Sequence, residues 1–402
     1  MVVVAGVANA SRVSSAVEVS SVFVPALVAE FGWSRTLIAS ATTLGGVATA
    51  LSGPIVGRIL DRYGGRIVVP LGALAVGAGC IALASVQTAA VFVVVYALVR
   101  MAGQSFMQFP NQVTVAKWFE RRRGTATALL VGIGSVGLIV APVAVQAIIG
   151  RAGIGAAWIA LGVLALSLGV LPTLLLSARR PEDLGLRPDG AEREAAVAEA
   201  EPSGDGDPAA DWTVREALRT RALYLLLGST VFFSLASTGV GFHQLSYYLE
   251  RGISPGTAAA AVSSFAFGLM VGGIMWGWLA DRLRVQLLLT VEYAMAAVLM
   301  LLLLGVRTPV QALPISFGFG MLVGGALAMP TLLLAAYYGR RYLGSIAGIL
   351  QMARGLALGS GPLVAGIIYD LNGSYAPAFM TFSVMCVGAV AMMAFVRRPV
   401  RG

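Results

Sequence analysis

Long apolar runs dominate the pattern of residues along the chain, and short segments rich in Arg, Asp, Pro and Gly separate them. A hydrocarbon core about 30 Å thick needs roughly 20 residues of helix, and these runs lack the alternation of barrel strands. Inside lipid only a helix satisfies its own backbone hydrogen bonds. The pattern predicts twelve membrane-spanning helices, near residues 4–29, 36–58, 66–87, 90–115, 124–148, 153–177, 221–249, 257–280, 285–306, 309–336, 343–369 and 374–396.

The composition agrees with this pattern, because 58% of the 402 residues are hydrophobic and only 12% are charged. Such a balance is typical of membrane proteins. The fold class that we predict is therefore an all-α membrane protein with twelve transmembrane helices. The first apolar run starts at Met1 without a basic leader or a small-residue cleavage site, so we interpret it as a retained helix and not as a signal peptide.

Basic residues collect in alternate loops. The richer loops contain Arg58, Arg62 and Arg66, then Lys117, Arg121, Arg122 and Arg123, then Arg282 and Arg284, then Arg340 and Arg341, and finally Arg397, Arg398 and Arg401. By the positive-inside rule these loops are cytoplasmic, which predicts a multi-pass protein of a bacterial inner membrane with both termini inside. The net charge of +9 then reflects topology and contact with membrane lipids, and nucleic acid is not expected as a partner.

One segment of the chain is polar and acidic. Residues 178–220 have few hydrophobic positions and predict a cytoplasmic linker that need not fold. The linker divides the chain into an N-terminal bundle at 1–177 and a C-terminal bundle at 221–396, followed by a cytoplasmic tail at 397–402.

The two halves repeat each other at a constant offset. Asp61 recurs as Asp281, Pro110 as Pro330 and Pro142 as Pro362, each 220 residues later. A register kept over several such residues predicts two pseudo-symmetric six-helix bundles. Internally repeated helical bundles are the architecture of secondary transporters, whose substrate site lies between the repeats near the middle of the membrane.

Three motifs resemble the major facilitator superfamily. They are GRILDRYGGR (57–66), its weaker second copy GWLADRLR (277–284), and RMAGQ (100–104). The segments 22–40, 117–129 and 337–351 are similar to the branch of monocarboxylate transporters and oxalate–formate exchangers. The resemblance implies a cytoplasmic gate, in which Asp61, Arg62, Asp281 and Arg282 hold the cytoplasmic side shut.

A nucleotide or metal cofactor is not expected. Residues 132–137 fit G-x-G-x-x-G, but they lie inside a predicted span with no preceding strand, so close helix packing explains these glycines. The sequence has no P-loop, and Cys80 and Cys386 lack metal or redox spacing. An intramembrane enzyme would need a catalytic constellation that one histidine cannot build, and a sensor would need a soluble output domain. We therefore predict a transporter and no enzyme, acting as a monomer.

Arg354 is the principal candidate for substrate binding. It lies near the middle of the predicted span 343–369, where a charge is costly and marks a functional site. A guanidinium cannot deprotonate and suits a carboxylate, which predicts an organic-anion site. Similar oxalate exchangers carry a cation here and a second one in the eighth helix, which this chain lacks, so we expect a singly charged substrate. A structural ion pair with Glu18 or Glu292 is the alternative.

Arg100, Gln104 and Gln108 add a second polar group to the predicted cavity. At about 100° per residue they fall on one side of the fourth span. The alternative for Arg100 is a structural hydrogen bond to the first or second helix. Glu18 shares a face with serines of the first span, so we expect it to face water and to be a candidate for proton coupling.

His243, Tyr247 and Tyr248 occur together in the seventh predicted span. A histidine in a cavity can carry a proton near physiological pH, so we predict substrate contact or proton coupling at His243. The two tyrosines offer hydroxyls to a substrate carboxylate. The alternatives are a core histidine with satisfied hydrogen bonds and tyrosines of the interfacial aromatic belt.

Together these features predict a secondary active transporter of small organic anions. The favoured function is proton-coupled symport of monocarboxylates by alternating access, with protons as the second partner and no cofactor. Two alternatives remain open: an organic-anion exchanger that uses no protons, and a proton-driven exporter of drug-like compounds.

Overall fold

The computed structural model describes residues 2–118, 123–177, 212–280, 282–339 and 343–399, and all regular elements in these ranges are helical. In the first part of the chain they are α1 (Val2–Ser11), a 3-10 turn (Val13–Ser15), α2 (Val17–Phe31), α3 (Arg35–Tyr63), α4 (Gly65–Leu83), α5 (Ala89–Met101), a π-helix (Ala102–Gln108), α6 (Phe109–Trp118), α7 (Arg123–Gly169) and α8 (Leu171–Leu176). In the second part they are α9 (Val214–Ala217), α10 (Arg221–Glu250), α11 (Pro255–Ala280), α12 (Val285–Leu304), α13 (Pro309–Ala326), α14 (Met329–Tyr338), α15 (Leu343–Asn372) and α16 (Ala376–Ala394).

Ten stretches within the described ranges are long and apolar enough to cross a membrane. This confirms an all-helical, multi-pass membrane architecture, while the count of twelve spans stays a prediction. The first predicted span consists of α1 and α2, which are only 10 and 15 residues long. The stretch Leu129–Leu176 has 48 residues, about twice one crossing, and Gly153 with a φ of 84° interrupts its helical backbone.

The described residues form two compact units. Residues 2–33 and 44–177 form the first unit, and residues 34–43 and 212–399 form the second. In the first unit α1 and α4 pack against α7, and Phe23 stacks on Trp158 with ring centroids 3.9 Å apart. The predicted bundle boundaries at 177 and 221 stay a prediction, because residues 178–211 lie outside the described ranges.

In the second unit α11 packs closely against α13. Glycines make this approach possible: a Cβ at Gly268 or Gly272 of α11 would collide with the backbone of Phe317 or Met321. Gly320 and Gly324 of α13 meet the backbone of α11 in the same way. Each helix thus carries two glycines four residues apart, the spacing that lets helix backbones touch in a membrane.

We expect Gly272→Ala to lower thermal stability in detergent, because its methyl group would have to displace the Met321 carbonyl. Overpacking of this kind costs about 1–3 kcal/mol. Gly273→Ala is the matched control, since a Cβ there meets the Gly324 carbonyl oxygen at an ordinary 3.8 Å. Alanine also has the better helix propensity, so the control should be neutral or stabilising. Equal melting temperatures for the two variants would contradict a packing role for Gly272.

Candidate functional site

Arg354 lies in α15 and is buried, with 8% of its surface exposed. Its Nη1 donates a hydrogen bond of 3.0 Å to the carbonyl oxygen of Leu327, at the junction between α13 and α14. The sequence explains this junction, because Pro330 has no N–H for the helical ladder and suits the first turn of α14. The N–H of Thr331 donates to Ala328 O at 3.1 Å, so the Leu327 carbonyl is left for the guanidinium.

Several buried polar side chains of the second unit are connected to Arg354, directly or through one neighbour. Electrostatic interactions connect the guanidinium with Glu292 and Tyr293 of α12, and Tyr293 faces Thr230 of α10. The Glu292 carboxyl and the Trp276 ring both lie against Gly325. We call this set the Arg354 cluster; its members are Thr230, Trp276, Glu292, Tyr293 and Arg354.

Unpartnered buried polar atoms are rare in proteins and ask for an explanation such as a functional role. In the Arg354 cluster they are Trp276 Nε1, both carboxyl oxygens of Glu292 and Arg354 Nε, whereas the hydroxyls of Thr230 and Tyr293 interact with each other. Sequence reasoning considered Glu292 only as an ion-pair partner of Arg354. It missed Thr230, Trp276 and Tyr293. Their only signal is the polar side chain within an apolar run, and nothing in the sequence shows that four helices converge here.

Arg100 has a similar environment in the first unit. It is 7% exposed, its Nη1 donates a 3.0 Å hydrogen bond to Ser15 O, and its Nε has no partner in the described ranges. Ser15 belongs to the 3-10 turn between α1 and α2. Gly45 allows the close approach, because a Cβ there would lie 2.8 Å from the Arg100 side chain.

The helical stripe predicted for Arg100, Gln104 and Gln108 assumes 100° per residue. Residues 102–108 form a π-helix, so this angle does not hold between these side chains. Gln104 and Gln108 are half-buried. π-helical turns are frequent at functional sites. The cavity-lining role of these residues stays a prediction.

Glu18 is half-buried in the first turn of α2. Its backbone carbonyl accepts a 2.7 Å hydrogen bond from Ser21 Oγ. Among the described residues no group donates a hydrogen bond to its carboxylate, which is compatible with the predicted role in proton coupling.

His243 is fully buried, and both ring nitrogens have partners. Nε2 lies 2.9 Å from the carbonyl oxygen of Pro362 and Nδ1 lies 2.9 Å from the Tyr375 hydroxyl. A carbonyl only accepts, so Nε2 carries the hydrogen and Nδ1 accepts from Tyr375. Burial raises the pKa of the Tyr375 phenol, which keeps its hydroxyl neutral. The imidazole therefore has no free nitrogen for a substrate in this conformation.

Tyr247 and Tyr248 are also buried and hydrogen-bonded to protein groups. The Tyr247 hydroxyl donates to Leu304 O at 3.0 Å and accepts from Arg251 Nη2 at 2.7 Å. The Tyr248 hydroxyl lies 2.7 Å from Ser316 Oγ. Their predicted contact with substrate would require these bonds to break.

The structure does not bring His243 and Arg354 together. His243 contacts Pro362, which is eight residues further along α15 than Arg354, or about 12 Å of helix rise. A small carboxylate held by Arg354 would not reach the imidazole in this conformation.

The predicted cytoplasmic gate is only partly described. Arg62 is exposed and lies over the Tyr63 ring at 5.3 Å, and Arg282 lies over the Trp278 ring at 3.8 Å. The side chain of Asp61 and the whole of Asp281 fall outside the described part of the chain. The role of these four residues as a gate stays a prediction.

Comparison with known proteins gives relatives at low identity. Monocarboxylate transporter 12 of Mus musculus is 24% identical over 307 residues, which cover 72% of this chain and 62% of that protein. The agnestins efflux protein AgnL12 of Paecilomyces divaricatus is 25% identical over 230 residues, covering 57% and 47%. The chain thus spans less than two thirds of the length of either relative.

A solved structure shares the fold. A bacterial homologue of the human lysosomal transporter Spinster, in an inward-facing and occupied conformation, superposes with a TM-score of 0.71 at 16% sequence identity, covering 98% of this chain and 95% of that one. The sequence profile of the Major Facilitator Superfamily matches residues 12–357 and 232–402. These matches extend over nearly the whole chain and confirm the resemblance of its loop motifs: the chain belongs to the Major Facilitator Superfamily of transporters.

Proposed function

We propose that this chain is a secondary active transporter of small organic anions, and that it carries monocarboxylates together with protons. The observation that carries the proposal is the buried guanidinium of Arg354, which bonds a carbonyl at a helix junction and interacts electrostatically with Glu292 and Tyr293. Interrupted helices near the middle of the membrane form the substrate sites of many transporters. Similarity to a monocarboxylate transporter supports the same substrate class.

The proposed binding step is an exchange of partners at Arg354. The guanidinium leaves the Leu327 carbonyl, a neutral acceptor, for the carboxylate of the substrate, which forms the stronger, charge-assisted hydrogen bonds. The hydroxyls of Thr230 and Tyr293 and the indole N–H of Trp276 supply further donors. Arg354 is nearly closed to solvent here, so substrate entry needs the conformational change of an alternating-access cycle.

We infer that a proton is taken up with the anion, because it offsets the change of charge that a bound monoanion brings into the low-dielectric interior. Glu18 and His243 are the carriers predicted from the sequence. Glu18 is the more accessible of the two, whereas proton uptake at His243 would require the bond from Tyr375 to be replaced. Exchange without protons would need neither residue.

Export of drug-like compounds is the second candidate function. It is supported by the similarity to the agnestins efflux protein and by the apolar character of the spans. Export and symport differ in the sign of the proton effect, so one transport assay separates them.

We expect an inward proton gradient to accelerate uptake of a monocarboxylate into proteoliposomes. The panel contains labelled acetate, lactate and pyruvate, with oxalate as a doubly charged comparison, and a protonophore should remove the acceleration. The proposal would be contradicted if the gradient accelerated uptake no more in proteoliposomes than in protein-free liposomes. It would also be contradicted if oxalate were the only compound of the panel that is taken up. If no carboxylate enters, the exporter function takes precedence.

We expect Arg354→Gln to abolish the thermal shift that a bound monocarboxylate produces, with a loss of roughly 2–5 kcal/mol of binding. Arg354→Lys should recover part of the affinity, because an ammonium keeps the charge but not the planar fork. Arg307→Gln, at an exposed arginine, is the control and should bind normally. A structural role predicts another pattern: lower stability of Arg354→Gln, an unchanged carboxylate shift, and recovery of stability when Glu292 is also neutralised.

A further inference from the structure

Glu292 is fully buried near the middle of α12, and the proposed binding step at Arg354 does not use it. Neither carboxyl oxygen makes a hydrogen bond of ordinary geometry with a described residue, although the Ala326 backbone faces the carboxyl. An ionised carboxylate buried in this way is far more costly than a neutral carboxyl. The observed surroundings therefore suit the protonated form.

The same helix junction contacts both Glu292 and Arg354. The Glu292 carboxyl lies against Gly325, in the space that a Cβ would fill. Two residues later the Leu327 carbonyl accepts from Arg354. The guanidinium and the carboxyl interact electrostatically, yet they do not form an ion pair. Both side chains are long and flexible, and the polar end of each lies at this junction.

We propose that Glu292 binds the coupled proton, and that its carboxylate and the carboxylate of the substrate take turns as the partner of Arg354. The inference rests on the proposed function and names the site of its coupling. When Glu292 is ionised it pairs with Arg354 and excludes the substrate. A proton from the aqueous phase adds to a carboxyl oxygen, the pair separates, and Arg354 becomes available to an external anion.

Charge is conserved through this exchange. Without substrate, the carboxylate of Glu292 balances the guanidinium of Arg354. In the loaded state Glu292 is neutral and the bound monoanion balances Arg354. The cluster therefore has a net charge of zero in both states that cross the membrane, with one proton for each singly charged anion. Binding of the anion without a proton would leave one carboxylate unpaired in the interior, which is costly.

Few other groups around Glu292 can titrate. Helix α10 reaches α12 where Phe233 stacks on Tyr293 and the Tyr247 hydroxyl donates to Leu304 O, and α15 interacts with it through Arg354. The other helices that pack against α12 are α11, α13, α14 and α16, and no side chain in these four is charged. Their titratable groups are Tyr337 and Tyr338 of α14 and Cys386 of α16, and Tyr293 is the neighbour on α12 itself. Within the described ranges Arg354 is the charged group that interacts with Glu292.

The test measures carboxylate binding against pH. In the parent, affinity for the monocarboxylate that gives the largest thermal shift should fall as pH rises from about pH 5 to pH 8, approaching tenfold per pH unit for one linked proton. Glu292→Gln mimics the protonated carboxyl, so this variant should bind the monocarboxylate with the same affinity at every pH. Glu292→Asp should restore the slope, which a merely structural role would not predict.

Glu250→Gln is the matched control. Glu250 also faces an arginine, with its Oε1 3.6 Å from Arg35 Nη2, but that pair is separate from the Arg354 cluster. This variant should keep the slope of the parent.

In proteoliposomes, Glu292→Gln should lose accumulation driven by the proton gradient and keep exchange of labelled for unlabelled substrate. Uptake by the parent should not respond to an imposed membrane potential, because the loaded cluster is neutral.

The outcomes separate this inference from the function on which it rests. An unchanged slope in Glu292→Gln, or loss of the slope in Glu18→Gln or His243→Gln instead, would overturn the role of Glu292 and leave anion transport standing. Binding of no carboxylate by the parent would overturn the proposed function. In that case infrared difference spectra of the parent and Glu292→Gln still show whether this carboxyl takes up a proton, and a carboxyl that does not titrate would refute the inference.

Discussion

A permanent positive charge inside a membrane protein needs an acceptor, and a regular helix has none to spare because its carbonyls already bond its own N–H groups. Arg100 and Arg354, two buried arginines of the predicted spans, meet that constraint in the same way. Arg100 donates to Ser15 O at the turn between α1 and α2, and Arg354 donates to Leu327 O at the junction of α13 and α14. At each helix interruption a backbone carbonyl is free to accept from the guanidinium, whereas in an uninterrupted helix it would accept from a backbone N–H.

The packing of the second unit follows from the same junction. Pro330 removes an N–H and favours a new helix start, while Gly325 leaves room for the Glu292 carboxyl and the Trp276 ring. Just beyond it, the glycines of α11 and α13 bring the two backbones into contact. The Arg354 cluster is therefore held by rigid, closely packed helices on one side and by an irregular turn on the other.

Transport of an anion requires a positive group that binds it and a way to release it. A fixed guanidinium alone would bind and retain a carboxylate, because charge-assisted bonds are strong where water is excluded. A second carboxylate that competes for the guanidinium gives release, and its protonation gives coupling. The arrangement of Glu292 beside the junction that Arg354 contacts thus links the proposed substrate class to the proposed energy source through one shared partner.

The all-helical, multi-pass architecture and the family of this protein could be recognised from the sequence, because hydrophobic length and the loop motifs are local properties of the chain. The sequence also singled out Arg354 and Arg100, since a charge in an apolar run is visible without any fold. It did not determine their surroundings. The 3-10 turn, the π-helix at 102–108 and the junction at Leu327 depend on tertiary contacts that compensate for lost helical bonds.

Only the tertiary structure decided which side chains meet. Their residue types and their place in the seventh predicted span assigned His243 and the tyrosines to a cavity, whereas their nitrogens and hydroxyls bond Pro362, Leu304 and Ser316 on neighbouring helices. Conversely, Thr230, Trp276 and Tyr293 were not singled out from the sequence, yet they join Glu292 and Arg354 in one buried cluster. The physical reason is that helical spacing shows only which residues share one face of a helix. Which neighbouring helix packs on that face depends on the glycines and helix interruptions that allow two helices to approach.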